Sequence, residues 1–190
     1  MNALPLPVAS GGTIPQAAPV TLQFLRIALG EQMCAVRIDA VREILELVPL
    51  TPLPLTPPFV RGVMNLRGAV VPVIDLGERV GLPATVVGRR TCVVVVHLSA
   101  EVEEPGPEDE GPLVTTVTQT LGVLVDAVHE VFDTAPDELE PVPRLGTRIE
   151  PGWIRSMVRV RGEATPELDL DQVLHHRALA ELITSHLGPH

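Results

Sequence analysis

The sequence predicts a mainly β chain, and three observations carry that expectation. Aliphatic side chains come in short runs such as Val70–Ile74 and Val93–Val96, and β-branched runs of that length pack well on a pleated surface. Twenty prolines and 15 glycines punctuate 190 residues, as many short strands joined by turns require. Aromatic residues amount to 2%, with no Tyr and one Trp, while 45% of the chain is apolar. The interior is therefore aliphatic, and large enough for one ordinary domain or two small ones sharing a core.

Taken in order, residues 1–20 carry no charge and are rich in Pro, Ala and Gly, the composition of a disordered leader. Thr21–Leu29 alternates as a half-buried strand and, after a turn at Gly30-Glu31, Met33–Ile38 returns as its hairpin partner. Asp39 is placed to cap a short helix over Ala40–Leu47, with Val41, Ile44 and Leu45 at i, i+3, i+4 forming its apolar face. Val48–Pro58 holds five prolines and is extended or turning. Phe59–Gly62 can make one helical turn, after which Val63–Leu66 and Ala69–Asp75 pair across a tight Arg67-Gly68 turn. Pro72 lacks a donor and belongs at an edge or a bulge. So apolar a strand needs cover on both faces, in a small barrel or between two packed barrels.

Leu76–Val80 suits a helical turn, Gly81–Arg90 a loop and Thr91–Leu98 another fully buried strand. Six acidic residues between Glu101 and Glu110, with Pro and Gly among them, mark 99–118 as an acidic loop insertion. Gln119–Val125 and Ala127–Phe132 are strands, and 134–145 is a Pro-rich loop. Trp153–Val160 and Glu167–Leu170 form a last hairpin turning at Arg161-Gly162-Glu163. Asp171–Leu187 is helical, with Gly188-Pro189 as its stop. V-x-x-I-L-E in the first half and V-D-A-V-H-E-V-F in the second hint at an internal duplication.

Chemistry-bearing patterns are absent from the sequence. No nucleophile elbow, H-E-x-x-H, C-x-x-C, phosphate loop or dinucleotide fingerprint occurs, so neither an enzyme, nor a cofactor, nor a metal site is expected. The adjacent His175 and His176 diverge on a helix, and His97 and His129 stand alone. Asp75 and Asp126 end apolar strands as a phospho-acceptor would, but a receiver domain needs alternating strands and helices and a Lys partner, which this chain lacks. A net charge of −10 argues against nucleic acid. Cys34 and Cys92, in apolar settings, suit buried reduced thiols. With no basic region ahead of its broken apolar N-terminus and no apolar run near about 18 residues, the expected location is the cytoplasm.

F-V-R-G-V-M-N-L-R-G-A-V-V-P-V-I-D-L (59–76) resembles the signature of the CheW-type chemotaxis coupling family. The first hairpin (FLRIALGEQMCAVRI), A-V-R-E-I-L, L-P-L-T-P-P, L-G-V-L-V-D-A-V-H-E-V and L-D-L-D-Q-V-L follow in the family's order, over roughly 22–174. The resemblance implies two small, intertwined five-stranded β-barrels. The first would comprise about 21–68 plus the C-terminal strand, and the second about 69–160, within a domain spanning 21–175. It also implies a non-catalytic scaffold between chemoreceptor cytoplasmic tips and the regulatory domain of a CheA-type histidine kinase, with self-association in rings open. Receptor- and kinase-facing candidates carried over are Val41, Glu43, Ile44, Gly62, Asn65, Arg67 and Gly68.

The residues themselves suggest a Glu43–Arg67 ion pair, either structural or in contact with the partner. Val41 and Ile44 suit helix core as well as contact, and Gly62 and Gly68 suit positive φ or close approach. Against the family pattern, the acidic insertion could redirect the chain to a divergent pathway, such as surface motility or gene regulation. G-E-A-T-P-E (162–167) should weaken the closing strand.

Overall fold

The protein, described by a computed structural model over residues 20–104, 113–143, 146 and 148–174, is built on ten strands. These are β1 (Leu22–Leu29), β2 (Gln32–Arg37), β3 (Val41–Glu46), β4 (Val60–Leu66), β5 (Ala69–Asp75), β6 (Cys92–Glu104), β7 (Leu113–Val125), β8 (Ala127–Thr134), β9 (Ile154–Val160) and β10 (Glu163–Leu168). Single helical turns α1 (Leu76–Arg79) and α2 (Leu170–Val173) follow β5 and β10. The strands form two five-stranded sheets, ordered β8-β1-β2-β10-β9 and β3-β6-β7-β5-β4. The mainly β class and its two five-strand units thus match expectation, but strand membership does not. β3 and β4 join the second sheet and β8 and β9 the first, because the chain changes sheets twice, at the 3-10 turn Ile38–Ala40 and again at Asp126.

Most strands lie where expected, and the departures have physical causes. Residues 40–47 form a strand, not a helix. Val41, Glu43 and Leu45 turn inward, Arg42, Ile44 and Glu46 outward, and β3 pairs with β6 from Val41↔Val96 to Glu46↔Cys92. A helix would have left that edge of β6 unpaired and its backbone groups unsatisfied. Likewise Phe59 ends a turn and Val60 already enters β4, so no helical turn forms there. β1 is buried from Phe24 to Leu29 rather than half-buried, since β8 and β2 flank it and both faces are covered.

The expected 99–118 loop is largely strand: β6 and β7 pair continuously from Cys92↔Val125 to Glu104↔Leu113. β-branched residues on β7 (Val114, Thr115, Thr116, Val117 and Thr118) favour the extended state despite the glutamates opposite. The centre of the acidic segment (105–112), the leader (1–19) and the C-terminal helix beyond Leu174 lie outside the described residues.

Of the suspect 162–167 segment, all but Gly162 lies in β10, the turn from β9 being Arg161-Gly162 alone. Glu167 is completely buried there. Its carboxylate accepts from Arg37 Nε at 3.0 Å and from the Ser156 hydroxyl. A satisfied carboxylate substitutes for the expected apolar residue. Pro72 sits one residue ahead of the parallel β5–β7 ladder, which begins at Val73↔Gly122, so its missing donor costs nothing on that side.

The two halves of the chain repeat one design. D-A-V-R-E-I-L (39–45) and D-A-V-H-E-V-F (126–132) each begin at a change of sheet. β1–β2 corresponds to β6–β7, and the parallel β10–β2 pair to the parallel β5–β7 pair. Bulged Arg61 pairs with Asp75 at 3.1 Å, and bulged Arg155 with Asp169 at 3.0 Å. Each aspartate caps the helical turn after its strand. Between the halves, Arg79 lies over Phe59 and Trp153, with its guanidinium carbon 5.2 and 5.0 Å from the ring centroids. Burial lowers its pKa from the ordinary guanidinium value. A single cation–π contact is worth about 0.5–2 kcal/mol.

One apolar cluster spans both sheets, with Leu25, Ile27 and Val36 from one and Val94, Val96, Val123 and Val125 from the other. A second, Met64, Val71, Val73, Val93, Val95 and Leu124, belongs to the second sheet alone.

Cys34 is buried in the shared cluster, and desolvation raises its thiol from an ordinary 9.0 to about 12. Above pH 9.0 the unfolded thiol ionises while the folded one stays protonated, which favours the unfolded state. The stability is complete below pH 9.0 and is lost as pH rises towards 12. Replacement by Ala should flatten the loss of stability between those values, at about 1.4 kcal/mol per pH unit, in urea titrations at stepped pH. An unchanged slope would contradict the burial.

Candidate functional site

The β4–β5 turn presents the most exposed constellation among the sequence-derived candidates. Leu66 and Ala69 pair, leaving Arg67 (φ 52°) and Gly68 (φ 90°) as a two-residue loop with both φ positive. That is the type I′ geometry that suits a twisted hairpin. Gly68 takes it freely, but Arg67 does so at a cost of order 1 kcal/mol. Asn65 helps fix the turn: its Oδ1 accepts the Gly68 N–H at 2.9 Å.

Arg67 Nη2 donates to Glu43 Oε2 at 2.8 Å, so the ion pair expected from sequence forms, although from a strand instead of a helix. The Arg67 side chain is 77% exposed and that of Glu43 21%. β3 and β4 are opposite edges of their sheet, so the sheet curls far enough for the pair to tie one edge to the other. Because β3 is a strand, Ile44 faces away from Glu43 and is 45% exposed, an edge-strand aliphatic residue open to water. A shallow groove beside the pair is lined by Arg42, Leu66, Val71, Val95, His97 and Thr120.

Glu43, Asn65, Arg67 and Gly68 are therefore brought together, while Ile44 points from the opposite side of β3. Two other candidates are not. Val41 packs partly buried against the shared core. Gly62 is buried (φ 131°), and a Cβ there would lie 2.3 Å from the Thr51 carbonyl oxygen. Its smallness lets the Pro-rich segment lie on β4, where Thr51 and Val63 exchange backbone hydrogen bonds at 2.9 and 2.8 Å. The sequence missed Val70, expected in the core but 54% exposed at the start of β5.

The aspartates weighed as phospho-acceptors serve the backbone. Asp75 is 0% exposed; it accepts from Arg61 Nη1 (3.1 Å), the Thr85 N–H (2.9 Å) and hydroxyl (3.1 Å), and the Glu78 N–H (3.1 Å). Asp126 accepts the Gly30 N–H at 2.7 Å, pinning the first hairpin to the β7–β8 corner. Among the described residues no group of three or more His, Cys, Asp or Glu could hold a metal ion, and no helix is long and apolar enough to cross a membrane.

A family model described as the CheW-like domain matches residues 23–178. A chemotaxis protein CheW from Rhizobium meliloti (strain 1021) is 30% identical over 151 residues, 80% of this chain and 86% of that protein. Chemotaxis protein CheW from Treponema pallidum (strain Nichols) is 25% identical over 162 residues, covering 84% and 86%. The crystal structure of scaffolding protein TtCheW from Thermoanaerobacter tengcongensis superposes with a TM-score of 0.67 at 25% identity, covering 87% of this chain and 95% of that one.

Exposed ion pairs contribute about 0.2–1 kcal/mol, so Glu43→Ala and Arg67→Ala should each shift stability by no more than about 1 kcal/mol. Asp75→Ala, which strands Arg61 and three further donors, two of them buried, should cost about 3–5 kcal/mol. Urea unfolding of the three variants gives the comparison, and equal losses would refute this ranking.

Proposed function

The chain belongs to the CheW-like domain family as a non-catalytic chemotaxis adaptor, and from that premise we propose that it couples chemoreceptor cytoplasmic tips to the regulatory domain of a CheA-type histidine kinase, in the cytoplasm. The observation that carries this reading is the exposed Glu43–Arg67 pair on an edge strand whose other side exposes Ile44. Arg67 occupies a strained backbone position, and its one ion pair returns at most about 1 kcal/mol to folding. A strained, exposed cation, and an aliphatic residue open to water on the edge strand it is tied to, suit recognition better than stability.

Receptor tips of this family are helical hairpins, so recognition follows the helix-on-surface mode. Ile44 offers an apolar anchor, and Arg67 and Glu43 offer one charge of each sign to fix orientation. Asn65 and Gly68 act by holding the turn that aims Arg67.

Ile44→Asp should weaken binding of a receptor-tip fragment at least tenfold, with an unchanged far-UV circular dichroism spectrum and unchanged capture of a kinase regulatory domain. Pull-downs of wild type and variant with each fragment make the measurement. Binding of neither fragment by the wild type would overturn the proposal.

A further inference from the structure

The two halves of the chain differ in what lies against their capping aspartates. In the first half, Asp75 accepts the Glu78 N–H of α1 and also takes the Thr85 N–H at 2.9 Å and the Thr85 hydroxyl at 3.1 Å. Thr85 comes from the chain just beyond α1. Val80 breaks the helical turn (φ −91°, ψ 13°), and the Leu82 N–H returns to the Gly77 carbonyl at 2.9 Å. Thr85 then reaches Asp75 and, at 3.5 Å, Asp126. The Asp75 side chain is left 0% exposed.

In the second half, Asp169 caps α2 through the Gln172 N–H and holds Arg155 as Asp75 holds Arg61. Among the described residues no further group donates to it, and its side chain stays 17% exposed. Where counterparts of Leu82–Thr85 would lie there is a cleft of about 350 Å³, lined by Asp39, His97, Ser99, Arg155, Leu170 and Asp171 among others. By the register of the repeat, Asp39 and Asp171 correspond to Asp126 and Gly77 of the filled site. Leu174 leaves α2 as Val80 leaves α1, with φ −98° and ψ 22° and its N–H on the Leu170 carbonyl at 2.9 Å.

From this correspondence we propose that residues 175–179, immediately beyond Leu174, turn back and close the cleft as Gly81–Thr85 close its counterpart. The His176 N–H then donates to the Asp171 carbonyl, as Leu82 does to Gly77, and the Leu179 N–H to the Asp169 carboxylate, as Thr85 does to Asp75. Arg177 brings a cation to a cleft whose rim carries the carboxylates of Asp39 and Asp171. A helix running unbroken from Asp171 to Leu187 does not fit the Leu174 backbone, whose ψ of 22° lies far from the helical value of about −42°.

The second site is not an exact copy. A Cβ at Gly77 would lie 3.0 Å from the Pro83 carbonyl oxygen, so over Asp171 the returning chain stands a few tenths of an ångström further out. Leu179 also lacks the Thr85 hydroxyl, which leaves its backbone N–H as the anchor. The inference does not depend on the partners proposed above: the segment is a strap that seals this cleft from within the chain.

The test follows backbone amide hydrogen exchange of the full, isotope-labelled chain by NMR. The His176 and Leu179 amides should exchange at least tenfold more slowly than that of Ala178, whose counterpart Ala84 is exposed. Leu179→Pro removes the donor to Asp169. It should raise His176 exchange to the Ala178 rate and shift the amide signals of His97, Ser99 and Asp171. The wild-type pattern decides by itself if the variant fails to fold. Equal protection from His175 through Leu187 would mean one continuous helix and overturns the proposal. Exchange of His176 and Leu179 as fast as that of Ala178 overturns it too, as does a Leu179→Pro spectrum unchanged at the cleft.

Discussion

The four valines Val93–Val96 of β6 have no face to give to water, and much of the architecture follows from covering them. Val93 and Val95 point into the core of the second sheet, while Val94 and Val96 point into the core shared by both sheets. Each fully buried aliphatic side chain contributes about 1.5–3 kcal/mol, so a few such residues outweigh the exposed ion pairs of the molecule together. One sheet can cover only one side of β6. A second, packed against the other, is therefore obligatory, and the chain supplies it by crossing over at Ile38–Ala40 and again at Asp126.

Two carboxylates, buried Asp75 and half-buried Asp126, fix corners of the chain. Asp75 and Asp126 sit where strands end and the chain must turn, and each spends its oxygens on backbone N–H groups that no ladder reaches. Arg79, between Phe59 and Trp153, joins the two halves through their corresponding aromatic residues. The polar groups that fix the fold are those taken out of water. The polar groups left in water, Arg67 and Arg161 foremost, contribute little to it.

Duplication gives the scaffold its economy. A hairpin that stays in its own sheet, followed by three strands that cross to the other, leaves each repeat incomplete alone and the pair complete together. The same operation that places β3 beside β6 places β8 beside β1. Departures from the repeat mark what each half does separately. Val73 in the first half becomes buried Glu167 in the second, satisfied by Arg37 and Ser156.

By itself the sequence determined the mainly β class, nearly all the strands, the Arg67-Gly68 turn and its mate Glu43. Those are local facts: β-branched runs, turn residues, and one cation needing one anion nearby. It did not determine which sheet each strand joins, nor that Val41–Glu46 is a strand. Val41, Ile44 and Leu45 fit a helical period, while Val41, Glu43 and Leu45 fit a strand's, and six residues cannot separate the two. Only the open edge of β6, offering a ladder of hydrogen bonds, settled the choice. With it came the exposure of Ile44 and the burial of Gly62 beneath Thr51, because each depends on neighbours distant in sequence.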